Sequence, residues 1–290
     1  LSVPANSSRS ASFTVWSNSN PVDFGTRSTG TGTGAIVAQS SAGATSGYAT
    51  GFYPDLNTGQ FAADDFVVTQ ATAISSISND GFVLGTGVIT PTTVIGWSVF
   101  ADAGGVPAGN PQTSPNAAVW RYSAPANSPG ISTTGGVLRL NLAAAGQSLN
   151  LAPGRYWLVV QVNAPFANRF AWFFSSQGNG TPPRTIIPGN PAPNNVWTTP
   201  ANAPAGLAYT MSGTVGCGAP WISGLAPASG RASAGQPATV SFTVNTTGLA
   251  PGDYSGFVCL TSNDPARPSA TVRVNLTVTP ALNRGKIGLE

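Results

Sequence analysis

Histidine does not occur in this sequence, and glutamate and lysine occur once each, as Glu290 and Lys286. Without an imidazole, Ser-His-Asp and Cys-His proton shuttles are excluded within the chain. A Ser-Lys dyad has only Lys286 to draw on, in a predicted tail over 281–290. Charge of either sign is scarce: 7% of residues are Asp, Glu, Lys or Arg, against about 25% in ordinary globular domains. The net charge of +3 comes from arginines scattered singly. The concentrated basic footprint of a nucleic-acid binder is therefore missing, and nucleic acid is not an expected partner. No apolar run approaches the roughly 18 residues that a membrane helix needs, so no membrane partner is expected either. The opening Leu1-Ser2-Val3-Pro4 has neither an initiator methionine nor a signal-peptide pattern. The chain is expected to be a mature piece of something longer, and a monomer as such.

What is abundant is Gly, Pro, Ser, Thr, Asn and Ala, so hydroxyls and amides have to supply the polar surface. Enough aliphatic residues remain to argue against disorder. The two cysteines, Cys217 and Cys259, form no Cys-x-x-Cys or Cys/His cluster of the kind that holds a metal. A disulfide is the natural reading; it implies an oxidising compartment and would contribute about 4 kcal/mol in the chain-entropy account. Two buried free thiols in a cytosolic protein are the alternative.

Alternation with period two is the recurring pattern, and helical periodicity is nearly missing. In TVRVNLTV, Val272, Val274, Leu276 and Val278 share a face, as a half-buried strand requires. GVLRLNL places Leu138, Leu140 and Leu142 together, and ATVSFTV does the same with Val240, Phe242 and Val244. Between the strands, Asn79-Asp80-Gly81, Ala103 to Pro107, Gly189-Asn190-Pro191 and Asn263-Asp264-Pro265 are predicted turns. Many short strands at such spacing indicate sandwiches or barrels.

One corner is written twice, as Leu151-Ala152-Pro153-Gly154-Arg155-Tyr156 and Leu249-Ala250-Pro251-Gly252-Asp253-Tyr254. Such a stretch turns the chain between sheets and lets the tyrosine hydroxyl bond back to the corner's backbone. Two corners predict two β-sandwiches. The fold class expected is all-β, with a larger jelly-roll-like sandwich over 17–215 and a small Ig-like one over 216–280 clamped by the disulfide. Residues 28–46 are Gly/Ser/Thr-rich and are predicted to be a loop or linker. Residues 1–16, whose SASFTV echoes VSFTV at 240–244, are read as the last strand of a truncated preceding Ig-like domain. A strand added to the first sandwich is the alternative.

With those residues in view, the C-terminal unit resembles the small Ig-like, BACON-type repeats of bacterial secreted proteins. The resemblance rests on Pro220-Trp221-Ile222-Ser223, Pro227 to Gly230, Val240 to Val244, Leu249 to Tyr254 and Thr261 to Pro265. More loosely, the larger unit is similar to jelly-roll-like accessory regions beside the catalytic domains of secreted bacterial enzymes, notably subtilisin-like peptidases. That likeness is carried by Ala63-Asp64-Asp65-Phe66, Phe100 to Pro107, Pro153 to Trp157 and Leu207 to Thr210. It implies a non-catalytic accessory role on a secreted or cell-surface protein.

The candidate chemistry is short of parts. Glycoside hydrolysis needs two facing carboxylates, but Asp64 and Asp65 are neighbours in GQFAADDFVV, and a strand points them to opposite faces. Asp64, Asp65, Asp80 and Asp102 are candidates for calcium, with turn stabilisation and strand capping as the alternative. In NRFAWFFSS, Phe170, Trp172 and Phe174 share a face and Phe173 takes the other. Trp172 and Trp197 are the candidate stacking rings for a sugar or peptide, and core burial is the competing reading, more so for Trp172. Trp221 is expected beside the disulfide. The chain is read as a non-enzymatic binding or spacer module with an extracellular polysaccharide or protein matrix as partner. The alternatives are a carbohydrate-binding module and an adhesin or structural stalk.

Overall fold

The computed structural model describes residues 1–17, 20–85, 87–188, 195–265 and 269–281. The predicted turn at Gly189-Asn190-Pro191, Lys286 and Glu290 lie outside them. Among the described residues the chain is all-β, its helical pieces being short 3-10 turns.

In chain order the first strands are β1 (Ser2–Pro4), β2 (Ser8–Val15), β3 (Val22–Arg27) and β4 (Thr31–Ala38). Next come β5 (Gly47–Ala49), β6 (Gly51–Tyr53), β7 (Thr58–Val68), β8 (Thr72–Val83), β9 (Val94–Ala101) and β10 (Ala118–Pro125). They are followed by β11 (Ile131–Ser132), β12 (Val137–Asn141), β13 (Leu149–Leu151), β14 (Gly154–Val162), β15 (Phe170–Ser175), β16 (Arg184–Ile186) and β17 (Gly206–Leu207). The chain closes with β18 (Tyr209–Gly216), β19 (Ile222–Ala226), β20 (Ser229–Ala232), β21 (Ala238–Asn245), β22 (Gly252–Ser262) and β23 (Ser269–Thr279).

Two compact units result, one made of residues 1–34 with 214–290 and the other of 35–213. This corrects the expected division at the N-terminus. Residues 1–16 are not left over from a preceding domain: β1 runs parallel to β23, and β2 pairs antiparallel with β21 from Ser8↔Asn245 to Val15↔Ala238. The echo between SASFTV and VSFTV has a physical reason, because the two strands are neighbours and send like residues to the same core. Phe13 stands opposite Val240, with its ring 6.4 Å from that of Phe242. Residues 22–34, expected in the larger unit, likewise belong to the smaller one, where β3 lies between β22 and β20. The small unit is a sandwich of the sheets β1-β23-β22-β3-β20 and β19-β21-β2. Its core holds Val3, Trp221, Phe242, Val244, Val258 and Leu276, continued by Phe24, Val240 and Leu260.

Residues 28–46 also depart from expectation, since they contain β4 where a loop was predicted. The glycines there serve close approach. A Cβ on Gly32 would lie 2.8 Å from Cys259 Sγ, and one on Gly34 would overlap the Thr271 side chain. Asn79-Asp80-Gly81 is likewise strand interior, within β8, and not a turn. Gly81 is needed because its ring neighbour Phe170 leaves no room for a Cβ.

The unit of residues 35–213 has one sheet ordered β10-β9-β14-β7-β16, with β6 added on β7. The other runs β11-β12-β8-β15-β17, with β13 and β18 also on β8. Ile95, Trp97, Val99, Leu158 and Val160 of the first sheet are fully buried, as are Ile77, Leu138, Phe170, Trp172 and Tyr209 of the second. Trp97 Nε1 donates to Asn79 Oδ1 at 2.9 Å from one sheet to the other. Both predicted tyrosine corners are present: Tyr156 donates its hydroxyl to Ala152 O at 3.0 Å, and Tyr254 donates to Ala250 O at 2.9 Å.

Candidate binding face

The aspartates sort themselves by the pleat of β7. Asp64 stands opposite Leu158 and Asp65 opposite Trp157 on β14, so the two carboxylates occupy opposite faces as alternation demands. Both are nonetheless 1% exposed, because both faces of this strand are covered. Asp64 accepts from Leu207 N at 2.7 Å and Asp65 N at 3.0 Å. Burial in the interior raises its pKa well above the ordinary carboxylate value, outweighing those two N–H donors. Asp65 accepts from Asn179 Nδ2 at 2.9 Å and faces Arg155 Nε at 3.4 Å. Its pKa is also raised, by burial first, against the lowering effects of Asn179 and Arg155.

Asp102 lies at the end of β9, where Oδ1 accepts from Trp157 Nε1 at 2.7 Å and Oδ2 from Gly105 N at 3.2 Å. That is the predicted turn role, in a loop where Gly104 and Gly105 have φ of 73° and 88°. Asp80 accepts from the Ser41 hydroxyl at 2.6 Å on the other sheet. Of the four calcium candidates, Asp80 lies on the other sheet while Asp65 and Asp102 are near enough to repel one another, and no group of three or more Asp, Glu, His or Cys is arranged to hold a metal among the described residues.

The aromatic candidates separate as well. Trp172 is 0% exposed, donates Nε1 to Ala208 O at 2.8 Å and packs edge-on against Tyr209. It is core and offers no platform. Phe170 is buried beside it, while Phe173 and Phe174 are half-buried against Phe82 and Tyr48. Trp197 is half-buried, donates Nε1 to Gly109 O at 2.9 Å and packs against the cluster of Phe61, Phe100, Trp157 and Ile186. Cys217 and Cys259 are joined by a disulfide, S–S 2.02 Å. Trp221 lies in the core of the same unit.

The cluster around Trp157 lies on the face of the β10-β9-β14-β7-β16 sheet turned away from the other sheet, and the register makes the rest of that face explicit. One row runs Arg121, Ser98, Val159, Ala63, Arg184 across β10, β9, β14, β7 and β16. The next runs Ser123, Gly96, Gln161. Arg184 closes the far side of the face: it donates to Gly105 O, Pro182 O and the Thr199 hydroxyl, and its guanidinium sits 5.6 Å from the Trp157 ring. At the near side the face stays open as a groove of about 250 Å³. Its floor and sides are Gly96, Ser98, Arg121, Ser123 and Gln161, and Pro111 and Pro115 wall it.

Asn110 sets that wall. Its Oδ1 accepts from Gln112 N and Thr113 N, and its Nδ2 donates to the hydroxyls of Thr113 and Ser114. Gly96 lets the Gln161 side chain lie against the backbone of β9, since a Cβ there would meet it at 2.9 Å. None of these groove residues stood out in the sequence. The available signal was alternation in VIGWSVF, where small Gly96 and Ser98 oppose the apolar Ile95, Trp97 and Val99 face. Comparison with known protein families and with curated proteins finds no match to the chain.

Proposed function

We propose that this chain is a non-catalytic accessory module of an extracellular protein and that it works by binding, through the outer face of the β10-β9-β14-β7-β16 sheet. The observation that carries the reading is the disposition of the ionisable groups. Asp64, Asp65, Asp80 and Asp102 are each engaged in hydrogen bonds that hold the fold together, and the groups lining the groove on the outer face are an arginine, hydroxyls and an amide. Such a face recognises a ligand through hydrogen bonds and has no acid and base pair flanking a bond. The Cys217–Cys259 disulfide supports an oxidising compartment, and among the described residues no helix is long and apolar enough to cross a membrane. An extracellular hydrolase, such as a peptidase, is the host proposed for the module.

The test is retention of the folded chain on insoluble polysaccharides and on fibrous proteins such as collagen, beside a Trp197→Ala variant whose unfolding temperature is checked first. Binding to one class of matrix, weakened in the variant because Trp197 holds Gly109 and the loop that walls the groove, is the expected result. Retention by no matrix would leave a spacer role and refute the binding one.

A further inference from the structure

We infer that the groove over β9, β10 and β14 is a binding site for an acidic saccharide, a sugar residue carrying a carboxylate beside its hydroxyls. The inference rests on the reading of the chain as a binding module and names the ligand class of that face. Gln161 lines the groove, and its Oε1 is buried without a hydrogen-bond partner among the described residues. A buried polar group without a partner costs free energy, so a site that leaves one open is set up for an incoming group. Ser98, 8% exposed, brings a hydroxyl to the same groove. Arg121 stands directly across from Ser98, exposed, with no ion pair or hydrogen bond among the described residues. Ser123 lies across from Gly96 on the same side, its hydroxyl without a hydrogen bond among the described residues.

The chemistry of this set selects the ligand. Ser98, Ser123 and Gln161 each both donate and accept, which matches sugar hydroxyls that do the same. Arg121 only donates, in a planar fork whose best partner is a carboxylate. An acidic peptide would satisfy the arginine too. However, extended peptides gain affinity chiefly through main-chain pairing along a sheet edge, whereas the polar groups that converge here are the side chains of Arg121, Ser98, Ser123 and Gln161 on the face of the sheet. At about 250 Å³ it falls below the roughly 300–1,000 Å³ of pockets for drug-sized ligands, so it takes one residue of a polymer rather than a whole ligand. The Asn110-braced wall and the packing of Gln161 on Gly96 hold the groups in place before the ligand arrives.

The test is calorimetric titration of the full chain with oligogalacturonate, with a neutral cello-oligosaccharide of equal length and with oligoglutamate. It is repeated on Arg121→Gln and Gln161→Ala, each first shown to unfold at the wild-type temperature. The site predicts binding of oligogalacturonate, at least tenfold weaker binding of the neutral oligosaccharide, no binding of oligoglutamate, and at least a tenfold loss in Arg121→Gln. Should oligogalacturonate bind equally well to wild type and Arg121→Gln, or oligoglutamate bind as well as the sugar, the groove assignment fails while the binding-module reading stands. No binding of oligogalacturonate overturns the assignment. The matrix screen then decides separately whether the module binds anything else.

Discussion

Buried polar residues do most to distinguish this interior from a plain apolar one. Asp64 is the sharpest case, a carboxyl whose pKa is raised by burial. The sign follows from linkage. A group with a folded pKa above its unfolded value of about 3.9 binds more protons in the folded state, so its contribution is fully present below the unfolded pKa and is lost as pH rises through the folded one. Asp65 is shifted in the same direction and adds to the trend. The unfolding temperature of the 35–213 unit should therefore fall as pH rises above the ordinary carboxylate range, and Asp64→Asn should flatten that slope. A pH series of thermal melts on both proteins checks it, and an unchanged slope in the variant would refute the assignment to Asp64. Asn79 is the second case: it is fully buried and its Oδ1 accepts from Trp97 Nε1. Asn79→Ala strands that indole N–H, and denaturant titration should register a loss of about 1–3 kcal/mol. Neither role could be read from sequence. Asn79-Asp80-Gly81 has the composition of a turn, and only the neighbouring strands, with Phe170 against Gly81 and Trp97 over Asn79, make it the middle of a strand.

At the scale of elements, alternation predicted the strands whose one face is core. Val240, Phe242 and Val244 in β21, and Leu138 and Leu140 in β12, are buried as the period of two requires. The opposite facing of Asp64 and Asp65 was legible for the same reason, and so were the corners. Tyr156→Phe and Tyr254→Phe each remove one hydroxyl bond to a carbonyl, so each should cost about 0.5–1.5 kcal/mol. The two corners belong to different units, and each variant should lower the unfolding transition of its own unit, as resolved by calorimetry. If both variants shifted the same single transition equally, the corners would not be separate local devices. Composition misled at β4. A Gly/Ser/Thr-rich stretch reads as linker, yet here the glycines let a strand lie against Cys259 and Thr271 where a side chain would collide. Nothing local in sequence announces what a glycine is packed against. The groove was hidden for a related reason: Ser98, Arg121 and Gln161 lie far apart in the chain, and only the β10-β9-β14 register brings them together.

For the whole molecule, the number of sandwiches was legible and the way the chain builds them was not. Two corners and a small cysteine-bearing region indicated two units. The N-terminal strands were assigned elsewhere because pairing across the full length of a chain leaves no local trace. Residues 1–34 complete the small sandwich, and the larger unit is inserted between them and the rest of it. The small unit has a limited core, and its disulfide spans 42 residues. Replacing Cys217 and Cys259 with serine should cost it about 2–5 kcal/mol, read as a lowered calorimetric transition of that unit with the other unchanged. The most direct test of the assembly is hydrogen exchange on the chain lacking residues 1–16. The account predicts lost amide protection in β21 and β23, the partners of β2 and β1, with β7 and β14 of the inserted unit protected as before. Full protection of β21 and β23 after the deletion would contradict it.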